Sequence, residues 1–330
     1  MSLLILYKKE KKLIGIRDAA YFLPGPPVDV VKWGPEQGVS EELICRLIAN
    51  RCRYFYMSND FSDADLACLA IDQLFISSQI KPKEVDFLIY AHTQPFSGPA
   101  APHSIVSEIC VRSAIQPLNA FAFEHLGCAT VVHAVSWGHR LLRQYPYARN
   151  VVVVTSDRVF GDVPWRIRQD ACIQSDGGSA ILLSREKVKG VMQNFVFDNL
   201  VQLHQGPFHG ENEKLVKRTC WPQTRKLLTK CAKVAGMPIQ NIGKILPINA
   251  DWPIWRIVSR GLQISEDLFF TDNFTLKGHA CSNDLAINLC DIGFKILADK
   301  KTILSFGQSN IGAQAALLII PPEVKHEEPL

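Results

Sequence analysis

A chain of 330 residues with 47% hydrophobic and 21% charged side chains can bury a large core and lacks the bias of a disordered protein. The net charge of +4, from 36 Lys and Arg against 32 Asp and Glu, excludes the strongly basic balance typical of nucleic-acid-binding proteins. The apolar run at residues 3–6 is too short for a signal-peptide core or a membrane span, so we expect a soluble, cytoplasmic protein.

Strands and helices alternate in the first half of the chain. Apolar runs bounded by polar turns predict strands at residues 13–23, 85–94, 121–126, 150–157 and 177–184. Helical spacing of apolar residues predicts helices at residues 63–79, 103–114 and 129–144. The first half closes near residue 186, and Cys128 falls at the junction between a strand and a helix.

The second half repeats this plan. We expect helices at residues 223–235 and from Ile254, and strands at residues 243–251, 302–306 and 315–320. The repeat predicts an internal duplication, with halves at residues 1–186 and 187–330. No linker rich in Gly, Ser or Pro separates the halves, so we expect them to pack as one α/β unit.

The chain contains ten cysteines, and no two of them form a CxxC pair. This usage indicates buried thiols in a reducing compartment and argues against a disulfide scaffold or a zinc module. The cysteines are Cys45, Cys52, Cys68, Cys110, Cys128, Cys172, Cys220, Cys231, Cys281 and Cys290. Their local contexts must separate a reactive thiol from structural ones.

Five stretches, in order, resemble the ketoacyl-acyl-carrier-protein synthase III family of the thiolase superfamily over nearly the whole chain. They are "EHLGCATVVHAVSWG", "IQSDGGSAILLS", "DWPIWRI", "LKGHACSN" and "SFGQSNIGA". The resemblance implies a thiolase-like layered αβαβα fold of two duplicated halves, and a homodimer. It also implies that a cysteine takes an acyl group from coenzyme A or from the phosphopantetheine of a carrier protein.

Cys128 stands where that family has its nucleophile. The start of a helix stabilises a thiolate through the helix dipole and free N–H groups, which favours this role over that of a buried structural cysteine. A metal cluster of Cys128 with His125, His133 and His139 is the other alternative. Offsets of five and eleven residues do not converge on one helix face, so we expect no metal there.

Both partners of the family's Cys, His, Asn triad are changed. Matching Arg256-Ile257 to the family's "RI" places Asp251 at the histidine position, whereas an alignment on Pro247 places Ile248 there. His279 stands at the asparagine position.

Condensing enzymes use two neutral donors to stabilise an enolate, and a carboxylate cannot donate. The set Cys128, His279 and Asp251 instead suits acyl transfer, with His279 as the base and Asp251 fixing its tautomer. The alternatives are structural: Asp251 as the N-cap before Trp252-Pro253, and His279 as a turn residue after Gly278.

Two binding features complete the prediction. By the resemblance, an oxyanion hole uses the backbone N–H groups of Cys128 and Gln308. A basic segment predicts docking of coenzyme A phosphates or an acidic carrier protein, although a solvated helix face is the alternative. Its predicted docking residues are Lys214, Lys217, Arg218, Arg225 and Lys226, together with Arg256.

These observations predict an acyltransferase of specialised metabolism that moves an acyl group through Cys128 to a hydroxyl or amine. A thioester is its substrate, and no other cofactor is expected. A decarboxylating condensing enzyme and a non-catalytic partner subunit of a heteromeric synthase are the alternatives. We expect a homodimer that continues its sheet through the strand at residues 150–157, and no nucleic-acid or membrane partner.

Overall fold

The computed structural model describes residues 13–57, 59–93, 102–159, 166–168, 172–199, 210–309 and 312–323. Its strands are β1 (Gly15–Phe22), β2 (Val28–Asp29), β3 (Tyr54–Phe55), β4 (Phe87–Ala91), β5 (Asn119–Phe123), β6 (Asn150–Asp157), β7 (Ile167–Arg168), β8 (Cys172–Ile173), β9 (Gly177–Ser184), β10 (Gly190–Asn199), β11 (Lys244–Leu246), β12 (Ile303–Gln308) and β13 (Ala313–Ile320). Its α-helices are α1 (Val30–Glu36), α2 (Glu41–Ala49), α3 (Asp63–Ser78), α4 (Ile105–Arg112), α5 (Thr130–Gln144), α6 (Gly210–Val234), α7 (Trp252–Leu262), α8 (Asp272–Leu276), α9 (Asp284–Asn288) and α10 (Phe294–Ala298).

One nine-stranded sheet, in the order β11-β12-β13-β10-β1-β9-β6-β4-β5, organises the molecule. Its two halves follow the same rule. The series β1-β9-β6-β4 has two antiparallel pairs and then a parallel pair, and so does β10-β13-β12-β11. The repeated order is that of two duplicated halves, and the predicted boundary at residue 186 falls between β9 and β10.

Helices cover both faces of the first half of the sheet. Val151 and Val153 of β6 pack into one core with α5, while Val152 and Val154 pack into another core with α3. Because neither face of β6 meets water, all its residues are buried, and residues 151–154 form a continuous apolar run. This confirms the predicted layered α/β architecture.

The secondary structure departs from the prediction in both halves. In the first half, helices α1 and α2 and the short strands β2, β3, β7 and β8 were not predicted. Strand β10 was not predicted, because polar Gln193, Asn194 and Asp198 interrupt its apolar pattern. The strand predicted at residues 243–251 is only three residues long, since the chain beyond it turns away to bond with α9: Asn249 N donates to Asp284. Helix α6 begins earlier than predicted, at Gly210.

The prediction that the sheet continues across a two-fold axis through the strand at residues 150–157, which is β6, is wrong. Strand β6 lies between β9 and β4 and pairs with both, so it has no free edge for a second chain. The outer strand on that side of the sheet is β5. Within the described part of the chain, no helix combines the length and apolar character needed to cross a bilayer.

Candidate active site

Cys128 lies in a short turn between β5 and α5. Residues Gly127–Ala129 form one 3₁₀ turn, and Thr130 Oγ1 donates to Gly127 O at 2.6 Å. The turn is packed against the residues at the end of β12: a Cβ on Gly307 would lie 2.8 Å from Cys128 O, and one on Gly127 would lie 2.3 Å from Ser309 Cβ. This close approach holds Cys128 at the predicted strand-to-helix junction, where it is 9% exposed.

His279 reaches Cys128 from the second half of the chain. Its backbone is fixed on both sides, because His279 N donates to Ile173 O at 2.9 Å and Ser175 N donates to His279 O at 2.9 Å. The imidazole is buried, and its Nε2 lies 3.1 Å from Cys128 Sγ. The structure therefore brings together two of the predicted site residues that are far apart in sequence.

The carboxylate that bonds His279 is Asp284. Its Oδ2 lies 2.6 Å from His279 Nδ1. Asp284 also accepts bonds from Asn249 N, Asn249 Nδ2 and Ala280 N at 2.7, 3.1 and 2.8 Å. With Nδ1–H donating to a carboxylate, Nε2 is the atom left to exchange a proton with the thiol. Asp284, His279 and Cys128 form one hydrogen-bonded chain.

The predicted position of Asp251 on His279 Nδ1 is thus wrong, because Asp284 occupies it. Asp251 instead precedes α7 with a left-handed backbone (φ 62°), and its side chain makes no capping hydrogen bond to that helix. Burial raises the pKa of Asp251 to about 6. The other aligned residue, Ile248, packs with the apolar core of the second half.

The sequence analysis assigned no role to Thr93, which lies beside Cys128, or to Asp284, which lies beside His279. Thr93, just past the end of β4, donates to Cys128 Sγ at 3.8 Å. Cys281 is 1% exposed, and its Sγ, Cys128 Sγ and His279 Nε2 all lie within 4.8 Å of one another. The sequence feature that could have indicated Thr93 is its place among the polar residues that end an apolar strand. The feature that could have indicated Asp284 is its position five residues after His279.

The charges in this cluster favour a thiolate and an imidazolium. A hydrogen bond from Cys281 lowers the pKa of Cys128 against the effect of burial, and the charge of His279 lowers it further. Burial lowers the pKa of His279, but the Cys128 thiolate and Asp284 outweigh it and raise that pKa well above its usual range. A thiolate at this position is the form that attacks an acyl donor.

Gln308 lies between the two residues that pack on the Cys128 turn. Ser309 N donates to Ala313 O of β13 at 2.8 Å. Successive N–H groups of an antiparallel strand point alternately toward and away from the partner strand, so the Gln308 N–H points away from β13. The Gln308 side chain accepts from Gln314 Nε2 at 3.0 Å, which fixes this part of the chain. The oxyanion role of the Cys128 and Gln308 N–H groups stays a prediction.

The predicted docking residues are dispersed over two helices. Arg225 packs on α7, where a Cβ on Gly261 would lie 2.2 Å from its Nη1. Lys226 is exposed, and exposed Arg256 pairs with Glu266 at 3.4 Å. Lys214, Lys217 and Arg218 belong to α6, but their side chains lie outside the described part of the structure.

The three histidines weighed as metal ligands point elsewhere. His133 stacks on Phe197 with ring centroids 4.2 Å apart, and His139 lies 5.9 Å from the Phe195 ring. Burial lowers the pKa of each to about 4. His125 is exposed and lies 3.1 Å from Glu124.

Comparison with known proteins places this site in a family context. A family model described as "FAE1/Type III polyketide synthase-like protein" matches residues 48–217. Beta-ketoacyl-[acyl-carrier-protein] synthase III of Streptococcus mutans is 26% identical over 198 residues, which cover 60% of this chain and 56% of that protein. The chain thus spans only about half the length of the curated relatives it matches.

Solved structures resemble the whole fold. ChlB3, described as an acyltransferase, superposes with a TM-score of 0.78 at 17% identity over 94% of this chain and 98% of that one. AbyA1, a tetronic acid condensing enzyme, gives 0.76 at 17% identity over 93% and 99%. These likenesses confirm the thiolase-like fold that the sequence predicted.

Proposed function

Because the chain belongs to the FAE1/Type III polyketide synthase-like family, we propose that it is an acyltransferase working through an acyl-Cys128 intermediate. A thioester of coenzyme A or of a carrier protein supplies the acyl group, and a hydroxyl or amine accepts it in specialised metabolism. The observation that carries this proposal is the hydrogen-bonded chain from Asp284 through His279 to Cys128.

The chain of bonds supports both half-reactions. The Cys128 thiolate attacks the thioester carbonyl, and the departing thiolate takes the proton of the His279 imidazolium. Neutral His279 then removes a proton from the acceptor as the acceptor attacks the acyl-cysteine, which restores the thiolate and the imidazolium. Asp284 keeps Nδ1 as the donor throughout, so Nε2 faces the reacting atoms.

Decarboxylating condensation is the second candidate, and the likeness to a synthase III favours it. Two observations weigh against it. The side-chain amides of Asn283 and Asn288 each donate two hydrogen bonds to protein acceptors, and Asn249 Nδ2 donates one to Asp284. Asp251, with a pKa of about 6, is mostly ionised at neutral pH and has no proton to donate. A malonyl enolate would thus lack the pair of neutral donors that condensation requires.

Intact-protein mass spectrometry with a panel of acyl thioesters, malonyl among them, tests the proposal. We expect an adduct on Cys128, no carbon dioxide from malonyl thioester, and passage of the acyl group to an alcohol or amine. Cys128→Ala should lose the adduct, whereas Cys172→Ala, which removes another buried thiol, should keep it. Carbon dioxide release coupled to a β-keto product would establish condensation instead. Absence of any adduct would favour the non-catalytic subunit.

We also propose that the protein is a homodimer joined through β5. The outer edge of this strand is available in the described sheet, and unpaired strand edges readily pair with a second chain. Apolar side chains accompany it: Trp137 is 45% exposed and lies 6.0 Å from the Phe123 ring. Light scattering tests this, and Phe123→Glu should yield a monomer. A wild-type monomer at micromolar concentration would contradict it.

A further inference from the structure

The proposed acyl transfer leaves the Cys281 thiol without a chemical step of its own. Cys281 begins a second 3₁₀ turn, Cys281–Asn283, with a left-handed backbone (φ 56°). The turn directs Sγ into the interior, where it lies 3.7 Å from Gln174 Oε1. A buried thiol beside a nucleophilic thiol and an imidazole is a cluster of soft ligands.

The three donor atoms have the separation of ligands around one metal ion. Cys128 Sγ, His279 Nε2 and Cys281 Sγ lie within 4.8 Å of one another, and the Sγ of Cys128 is 3.1 Å from Nε2. On a tetrahedral zinc with Zn–S of about 2.3 Å and Zn–N of about 2.0–2.1 Å, such atoms are roughly 3.5–3.8 Å apart. The Cys128 Sγ–His279 Nε2 distance would lengthen by only a few tenths of an ångström to reach this separation, and Cys281 Sγ already lies within 4.8 Å of both atoms.

The surroundings of His279 match those of a metal-bound histidine. A ligating histidine almost always donates its other ring N–H to a carboxylate or carbonyl, which fixes the tautomer and the ring orientation. Here Nδ1 lies 2.6 Å from Asp284 Oδ2, and Asp284 is itself held by three further N–H groups. Nε2 is thus oriented toward the two thiols before any ion arrives.

We propose that Cys128, His279 and Cys281 bind one thiophilic divalent cation, which in the cell is zinc. Binding of this ion blocks the nucleophilic thiolate of Cys128. The inference goes beyond acyl transfer and does not depend on it. Two S–Zn bonds and one N–Zn bond form, and the protons on Cys281 and His279 Nε2 leave to solvent without any electron transfer. A fourth position stays open for water, as in catalytic zinc sites with three protein ligands.

Cobalt is the direct probe, because thiolate-bound Co²⁺ absorbs in the near ultraviolet by charge transfer and tetrahedral Co²⁺ absorbs in the visible. The reduced full-length protein is titrated with Co²⁺ and then with Zn²⁺. We expect both absorption bands to saturate at one ion per chain and to vanish as zinc displaces cobalt. Failure of the charge-transfer band to form would overturn the proposal.

Variants identify the ligands. Cys281→Ser should weaken zinc binding, measured by competition with a chromophoric chelator, by more than the roughly 10- to 100-fold that loss of an outer partner costs. Cys172→Ser removes a buried thiol outside the cluster and should bind zinc like the wild type. Unchanged zinc affinity in Cys281→Ser would refute the site. Cys281→Ala and Cys128→Ser repeat the measurement if that variant does not fold.

Protection from alkylation separates this proposal from the acyltransferase proposal. Iodoacetamide labelling of Cys128, followed by peptide mapping, requires no acyl donor. We expect zinc to slow labelling of Cys128 in the wild type at least about tenfold, and chelator to restore it, while zinc leaves labelling in Cys281→Ser unchanged. Equal protection in both proteins would contradict the site. A protein that binds zinc but takes no acyl group would refute only the proposed function.

Discussion

Asp284 and Asp251 lie in the same half of the chain, yet only one of them is tied to the imidazole. Asp284 is 2% exposed and accepts four N–H bonds, one of them from His279. Asp251 stands at the start of α7, where burial raises its pKa to about 6. The difference teaches that a carboxylate fixes a catalytic tautomer through directed hydrogen bonds, and that burial of an acid in the same half of the chain is not enough.

Local chain geometry explains why these two aspartates differ. Asp284 follows the 3₁₀ turn that starts at Cys281, and this turn returns the chain so that Asp284 meets both the Ala280 N–H and the His279 ring. Residues beyond β11 add Asn249 from the other side. Asp251 comes two residues after Asn249. It has a left-handed backbone and immediately precedes α7.

Removal of the imidazole that Asp284 orients is expected to have the largest effect on the rate of acyl transfer. His279→Ala loses the base of the second half-reaction and the partner of the thiolate, so transfer should fall toward the upper end of about 10²- to 10⁴-fold. Single-turnover transfer from pre-acylated enzyme measures it. A decrease below tenfold would remove His279 from the mechanism.

Asp284→Asn is expected to be next in size. An amide at this position can stabilise the wrong tautomer of His279 and carries no charge to stabilise the imidazolium. The rate of acyl transfer should therefore fall by up to about 10⁴-fold, which approaches but does not exceed the effect of His279→Ala. The same assay applies, with circular dichroism to establish folding. If Asp251→Asn lowers the rate of transfer more than Asp284→Asn does, Asp251 is the carboxylate that supports His279.

The pH dependence of thiol reactivity sharpens the comparison. The pKa of Cys128 is lowered through Cys281 and His279, and the pKa of His279 is raised by Cys128 and Asp284 against burial, so the thiolate should persist well below the usual thiol range. Iodoacetamide labelling of Cys128 should therefore change little across neutral and mildly acidic pH. Asp284→Asn should restore a dependence closer to that of an ordinary thiol. A steep, thiol-like profile in the wild type would contradict the ion pair.

The smallest effect is expected for Asp251→Asn, and it concerns stability. The folded-state pKa of about 6 exceeds the ordinary 3.8, so the buried charge costs stability above about pH 6 and the cost disappears below about pH 4. The substitution should raise the free energy of unfolding at pH 8 by about 1–3 kcal/mol and change it little at pH 4. Urea unfolding at both pH values measures this. Destabilisation at pH 8 would show that Asp251 has a favourable ionic partner.

The sequence by itself determined the framework and one reactive residue. Strands β6 and β9 have the predicted bounds, because each is buried along its length and carries an uninterrupted apolar run, at residues 151–154 and 180–183. The cysteine at the end of a strand and the start of a helix was equally readable, since that junction is a local feature of the chain. The resemblance to the synthase III family pointed to the same residue.

Only the tertiary structure decided which groups meet at that cysteine. His279 and Cys128 come from different halves, and their 3.1 Å contact depends on how the two halves pack. The choice of Asp284, and the nearness of Cys281, depend on left-handed backbone at Gly278 and Cys281. Apolar periodicity reports which face of an element is buried, but a hydrogen bond needs placement within a few tenths of an ångström, and only the packed turns supply it.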